Sequence, residues 1–124
     1  MILKLGTLND LERLNGELPE EVFWHLHSNI QILDENYGAT RDVDRDDGGY
    51  ALLFDHADDL NHIRASEKVN FTYHVPEWVD LIETDGGNYA SALYLTSNDF
   101  GIILIAPAHI LTQLPDIQAS LQDL

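Results

Sequence analysis

The spacing of apolar residues predicts one long helix in the first third of the chain. Between Pro19 and Tyr37, apolar side chains recur every three or four positions, which is the period of one helical face. These side chains belong to Phe23, Leu26, Ile30, Leu33 and Tyr37. Proline suits the first turn of a helix, and Gly38 supplies a stop at the other end. We therefore expect a helix over 19–37 with one buried stripe.

Shorter elements are predicted on either side of this helix. The segment 2–5 fits a brief strand, and Thr7 with Asp10 three positions later forms a variant of the capping box that begins a helix. Another short helix is expected over 57–67, with Asp55 before it as a cap.

Alternating and continuous apolar runs predict strands in the remainder of the chain. They cover 50–54, 69–73, 78–83, 89–96 and 100–106. The sequence Asp-Gly-Gly-Asn at 85–88 is typical of a hairpin turn. The run 100–106 is almost wholly apolar, which indicates a central strand that is covered on both faces. If this strand instead lay at an edge of the sheet, it would offer a surface for dimerisation.

Together these elements predict a single α+β domain over residues 1–124. We expect an antiparallel sheet of about four to five strands, with the long helix packed on one face and shorter flanking helices. The tail after Ala108 is expected to be helical but broken at Pro115. The predicted core consists of Phe23, Leu26, Ile30, Leu33, Leu52, Leu81, Leu93, Leu95, Ile103 and Ile105.

Acidic residues outnumber basic ones so strongly that charge narrows the range of partners. The sequence has 22 Asp and Glu against six Lys and Arg, for a formal net charge of −16. All six basic residues lie before Val69. A surface of this sign repels phosphate groups, so direct binding to nucleic acid or to an anionic membrane is not expected. Solubility alone is the simpler interpretation of the same charge.

Cysteine usage and hydropathy indicate the compartment. The absence of cysteine fits a reducing environment and removes disulfides, thiolate zinc sites and cysteine nucleophiles. The apolar runs fall far short of the roughly 20 residues of a membrane helix, and residues 1–16 do not resemble a signal peptide. A cytoplasmic protein is therefore the expectation.

The arrangement of polar residues does not favour an enzyme. The serines stand outside the GxSxG and SxxK patterns, and the glycine pairs lack the Lys-Ser or Lys-Thr of a phosphate-binding loop. None of the six histidines has the spacing of a zinc site. We therefore predict no catalytic residue, no metal site and no cofactor. A cleft that gathered His56 or His62 with several carboxylates would reopen acid–base catalysis.

An acidic loop is the candidate for a cation or a small ligand. Its aspartates are Asp42, Asp44, Asp46 and Asp47. Alternate acids suit calcium, but an EF-hand loop that began at Asp42 would have Asp47 where glycine is needed and Leu53 where glutamate is needed. Arg45 also lies inside the loop. A small-ligand or calcium-binding domain that uses 42–47 is the alternative function, and a solvated acidic turn is the simpler interpretation.

Asp58 and Asp59 extend the acidic loop into a candidate binding surface. Residues 34–59 contain nine acids and two arginines, a density that suits a protein which imitates the phosphates of DNA. The same density suits an inhibitor that is steered electrostatically to a basic target. Pairing of these two aspartates with His62 within one helical turn is more typical of a surface ion pair than of a catalytic dyad.

Trp24 is the candidate aromatic anchor for a protein interface. It lies off the apolar stripe of the long helix, next to Phe23, and tryptophan is enriched at interface hot spots. A place at the margin of the core is the alternative for Trp24, and it is the preferred interpretation for Trp78.

Four short segments carry a resemblance. They are ILDENYGA at 32–39, RDVD at 41–44, GGY at 48–50 and LTSNDFG at 95–101. Together they resemble an uncharacterised family of short acidic bacterial proteins that are often carried on conjugative or phage-like mobile elements. The resemblance spans about 8–107 and implies an accessory protein of a mobile element, without an activity or a catalytic residue to carry over.

One functional hypothesis follows from the acidic charge, the missing catalytic patterns and the resemblance to this family. The chain is expected to be a non-enzymatic accessory protein that acts through contacts with a protein partner. A basic partner would suit its charge, and the role would be that of an acidic inhibitor or a DNA mimic. Association of the chain with copies of itself stays open.

Overall fold

The computed structural model describes residues 2–37, 49–66, 76–95 and 101–122, which form five strands and five helices. The strands are β1 (Leu3–Leu5), β2 (Gly49–Leu53), β3 (Trp78–Thr84), β4 (Gly87–Leu95) and β5 (Gly101–Pro107). The helices are α1 (Leu8–Glu12), α2 (Glu20–Tyr37), α3 (Ala57–Ser66), α4 (Ala108–Leu111) and α5 (Pro115–Gln122). The strand predicted at 69–73 lies outside the described residues.

The five strands form one mixed sheet in the order β1-β2-β5-β4-β3. Strand β5 runs parallel to β2, with Ile103 opposite Ala51, whereas the other neighbouring pairs are antiparallel. The α+β class is confirmed, but the prediction of an antiparallel sheet is wrong for this pair. The chain passes through α3 and the β3–β4 hairpin between β2 and β5, and such a long crossover lets it return in the same direction.

Strand β5 occupies the middle of the sheet, as its apolar sequence predicts. Residues Gly101 to Ala106 are all buried, and β2 and β4 pair with the two edges of the strand. Since both edges are occupied, β5 does not offer the edge that dimerisation through this strand would need.

Apolar side chains emerge on both faces of the sheet, and each face is covered by helices. The closed face, as we call it, packs against α3, α4 and α5 and includes Leu52, Ala92 and Leu104. The opposite side, the α2 face, packs against α1 and α2 and includes Ala51 and Ile103. The long helix therefore lies on one face as expected, while three of the shorter helices form a second layer on the other side instead of flanking it.

Six predicted core residues are buried: Phe23, Leu26, Ile30, Leu52, Ile103 and Ile105. Leu93 is half-buried, and the side chains of Leu33 and Leu95 lie outside the described set. The prediction for Leu81 is wrong, because its side chain is 39% exposed while that of its neighbour Ile82 is 8% exposed. Successive side chains of a strand point to opposite faces, and Ile82 is the one that packs into the core beneath α2.

Local signals at the element ends agree with the predictions. The Thr7 hydroxyl accepts a hydrogen bond from the Asp10 N–H at 3.2 Å, and the Asp10 carboxylate accepts one from the Thr7 N–H at 3.1 Å. This is the predicted capping box at the start of α1. Pro115 begins α5, so the C-terminal helical segment is interrupted there. Gly87 has a φ of +130°, which suits the turn between β3 and β4.

Candidate functional site

The outer side of α2 carries the candidate aromatic anchor. The helix buries Val22, Leu26 and Ile30 against the α2 face. In contrast, the side chain of Trp24 is 54% exposed and that of Ile32 is 49% exposed. Tryptophan is highly buried on average, because its large apolar surface gains much free energy when it leaves water. An indole that is half-exposed on a helix is therefore available to a partner.

Two neighbouring rings hold the indole of Trp24 in place. The ring centroid of Phe23 lies 5.3 Å away with the planes almost perpendicular, and that of His27 also lies 5.3 Å away. Phe23 is itself buried in the core beneath α2, so the cluster is anchored to the fold. Aromatic ring pairs contribute about 0.5–1.5 kcal/mol each beyond the area they bury. Trp24 is consequently supported by neighbouring rings of its own helix.

A cleft of about 320 Å³ opens beside Trp24, between α1 and α2. Its lining residues are Glu12, Asn15, Gly16, Leu18, Glu20, Phe23 and Trp24. Gly16 has a φ of +88°, a conformation that suits glycine and lets the chain turn between the two helices. Glu12 and Glu20 are both exposed, and Lys and Arg are missing from the lining. The cleft thus combines an aromatic wall with negative charge.

The inner side of α2 places His25 against β3. Its ring centroid lies 5.7 Å from that of Trp78, with the planes nearly perpendicular. Burial lowers the pKa of His25, and the negative charge of Asp80 opposes this shift only in part. Its Nε2 atom has no hydrogen-bond partner among the described residues. At neutral pH, the side chain of His25 is therefore favoured in its neutral form in the folded chain.

Ser91 brings a third polar side chain to the α2 face. It lies on β4 directly opposite Asp80 on β3 and is completely buried. Within the described part of the chain, its Oγ atom has no hydrogen-bond partner. Asp80 and Ser91 thus lie on the sheet, and His25 lies on the helix that packs against it. A buried hydroxyl without a base bonded to it does not meet the requirements of a nucleophile. This arrangement gives no support to acyl transfer.

The described acidic candidates lie on the other side of the sheet from Trp24. Asp58 and Asp59 occupy the first turn of α3, which packs on the closed face. Acidic side chains in this position favour the helix by complementing its dipole. The structure therefore does not join these two aspartates and Trp24 into one surface.

The loop aspartates lie outside the described residues; they are Asp42, Asp44, Asp46 and Asp47. Calcium binding by this loop stays a prediction, and the melting temperature with and without millimolar calcium would test it. Within the described ranges, His, Asp and Glu form no group of three or more that could hold a metal ion. Over the same ranges, every helix is too short or too polar to span a membrane.

Sequence reasoning missed the cleft beside Trp24. Its two carboxylates, Glu12 and Glu20, belong to different helices that meet only in the folded chain. Gly16 and Pro19 mark the turn between these helices in the sequence. They do not show that the turn leaves a cleft.

Comparison with known proteins yields no relative from which a function could be transferred. No family model matches the chain, and no curated protein or solved structure matches it at a significant level. The geometry around α2 and the charge of the chain are therefore the grounds for assigning a function.

Proposed function

We propose that this chain is a non-enzymatic accessory protein that binds a basic protein partner through the outer side of α2. The observation that carries the proposal is the exposed, ring-buttressed indole of Trp24 beside an acidic cleft. We place this function in the cytoplasm, in keeping with a sequence that lacks cysteine.

Trp24 has the properties of a binding hot spot. Interface energy concentrates in a few aromatic and arginine side chains that pack into a partner. Because Phe23 and His27 already contact the indole, ordering it on binding should cost less conformational entropy than ordering an unsupported side chain. A partner that covers Trp24 would remove a large apolar surface from water.

The charge around Trp24 favours a basic partner. Glu12 and Glu20 line the adjacent cleft, and the whole chain carries a formal charge of −16. An arginine or lysine of the partner could contact both these carboxylates and the face of the indole. A second copy of the chain would bring the same negative charge and would be repelled. These considerations support a basic partner over self-association.

The test begins with capture of partners from bacterial lysate at low and moderate salt, followed by calorimetry with the purified partner. Trp24→Ala should raise the Kd roughly 30-fold, since truncation of a hot spot costs about 2 kcal/mol or more. Ile32→Ala removes another exposed apolar side chain of the same helix and serves as the matched control. We expect it to change the Kd less than about fivefold. Neither variant should lower the melting temperature appreciably, because both side chains are exposed.

Equal binding by wild-type protein and Trp24→Ala would contradict the proposed anchor. Robust turnover of a small molecule by the purified chain would contradict the proposed class of function.

The identity of the partner and the effect of salt would separate a DNA mimic from an adaptor. A mimic replaces phosphates, so it should inhibit a DNA-binding enzyme and lose affinity steeply as salt rises. Acid-to-amide substitutions would then weaken binding more than Trp24→Ala does. An adaptor anchored by Trp24 should show the opposite ranking.

A further inference from the structure

A second cleft, of about 360 Å³, lies at the end of the sheet beneath the connection between α1 and α2. Its lining residues are Leu3, Leu14, Glu17, Leu18, Leu53, Phe54, Asp55 and Tyr89. This volume falls near the lower end of the roughly 300–1,000 Å³ that is typical of small-molecule sites. It shares Leu18 with the cleft beside Trp24, but its other walls come from the sheet.

The sheet topology places this cleft where parallel strands end. Strands β2 and β5 are parallel, so their carboxyl ends share one edge of the sheet. Antiparallel pairing brings Leu3 of β1 opposite Leu53, and Tyr89 of β4 opposite Pro107 of β5, at the same edge. In doubly wound α/β sheets, ligands bind outside the carboxyl ends of the parallel strands, and this cleft lies at the corresponding end of β2. Four parts of the chain therefore form the walls of the cleft: β1, the connection between α1 and α2, the end of β2, and the start of β4.

The lining of this second cleft is mostly apolar, and its charged side chains are acidic. Five of its side chains are leucine or phenylalanine, and Tyr89 adds an aromatic ring. Glu17 and Asp55 are both exposed, and they are the charged residues in the lining. An anion would be repelled by this pair, and a neutral apolar molecule would gain nothing from it. A molecule with a cationic head and an apolar body matches both parts of the cleft.

We propose that this cleft binds a small organic cation, in which an ammonium or guanidinium group is joined to an apolar body. The apolar body contacts Leu14, Leu18 and Leu53, while the cationic head lies near Glu17 and Asp55. This proposal does not depend on the proposed function of Trp24, because the two clefts share only Leu18 among their lining residues and the test uses the isolated chain.

The test is an NMR titration of the isotope-labelled chain at neutral pH with phenethylamine and with its neutral counterpart, phenethyl alcohol. The amine should shift the backbone amide signals of Leu3, Leu53 and Tyr89 and should bind at least about fivefold more tightly than the alcohol. Added salt should weaken binding of the amine and leave that of the alcohol unchanged.

Glu17→Gln provides the variant, because its side chain is exposed and the substitution keeps its shape. We expect it to weaken amine binding about two- to fivefold, the range of an exposed ion pair. Glu83→Gln removes an exposed carboxylate of β3 that does not line the cleft, and it should leave amine binding unchanged.

Three results would overturn the proposal: equal affinity for amine and alcohol, amide shifts away from the cleft, or equal effects of the two Gln variants. Binding of lysine- or arginine-containing peptides without any binding of the small amine would also overturn it, since the site would then serve a protein partner. None of these results would bear on Trp24.

Discussion

The two faces of the sheet differ in how completely the helices cover them. On the closed face, three helices bury the side chains of β2, β4 and β5, and small residues such as Ala92 and Ala106 leave room for α4. On the α2 face, one long helix and the short α1 give partial cover, with two clefts at their junction. The exposed Trp24 and the buried polar atoms of His25 and Ser91 also lie on this side. The more completely covered core and the exposed candidate surface thus lie on opposite sides of one sheet.

The largest expected effect is on the closed face. Leu104→Ala should lower the free energy of unfolding by about 2–5 kcal/mol, because it leaves a cavity among fully buried side chains. Urea denaturation measures this loss. Leu81→Ala is the matched control, since this leucine also lies on a strand but is exposed; it should cost less than about 1 kcal/mol. Similar losses for the two variants would remove the distinction between a covered and an uncovered strand position.

A smaller effect is expected where α1 begins, next to the clefts. Thr7→Ala should lower the free energy of unfolding by about 1 kcal/mol, since it removes the acceptor of the Asp10 N–H in the capping box. Thermal denaturation would detect this change. Thr112→Ala is the control on the closed-face side, because the Thr112 hydroxyl donates only to the carbonyl of Ala108 within the helical turn. A larger loss for Thr112→Ala would contradict the assigned cap.

The smallest effect is a dependence of stability on pH that comes from the α2 face. The pKa of His25 is lowered in the folded chain, so the unfolded chain takes up this proton more readily as the pH falls. The corresponding stability is fully present above pH 6.5, the ordinary value, and is lost as the pH falls through the lowered pKa. His25→Phe should flatten this part of the pH profile, measured as the free energy of unfolding in urea.

The charge of Asp80 acts against the effect of burial on His25, so Asp80→Asn should steepen the slope. An unchanged slope in His25→Phe would show that the pH dependence arises elsewhere.

Elements with strong local signals were predictable from the sequence. The apolar period of 19–37, the capping box at Thr7 and the turn chemistry of 85–88 each depend on residues close together in the chain. The apolar run at 100–106 likewise predicted the buried central strand, because a strand covered on both faces needs apolar residues at successive positions. Trp24 was identified as an anchor candidate for the same reason, since its helical position off the apolar stripe can be counted.

The sequence by itself therefore determined the class of the fold, most of its elements and the strongly acidic charge. The tertiary structure alone decided that β5 lies parallel to β2, that Ile82 is buried in place of Leu81, and where the clefts lie. The physical reason is the distance along the chain over which each feature acts. Helical period, caps and turns depend on residues that are only a few positions apart. Strand order, edge exposure and cleft walls depend on segments such as β1, β2 and β4, which meet only when the chain is folded.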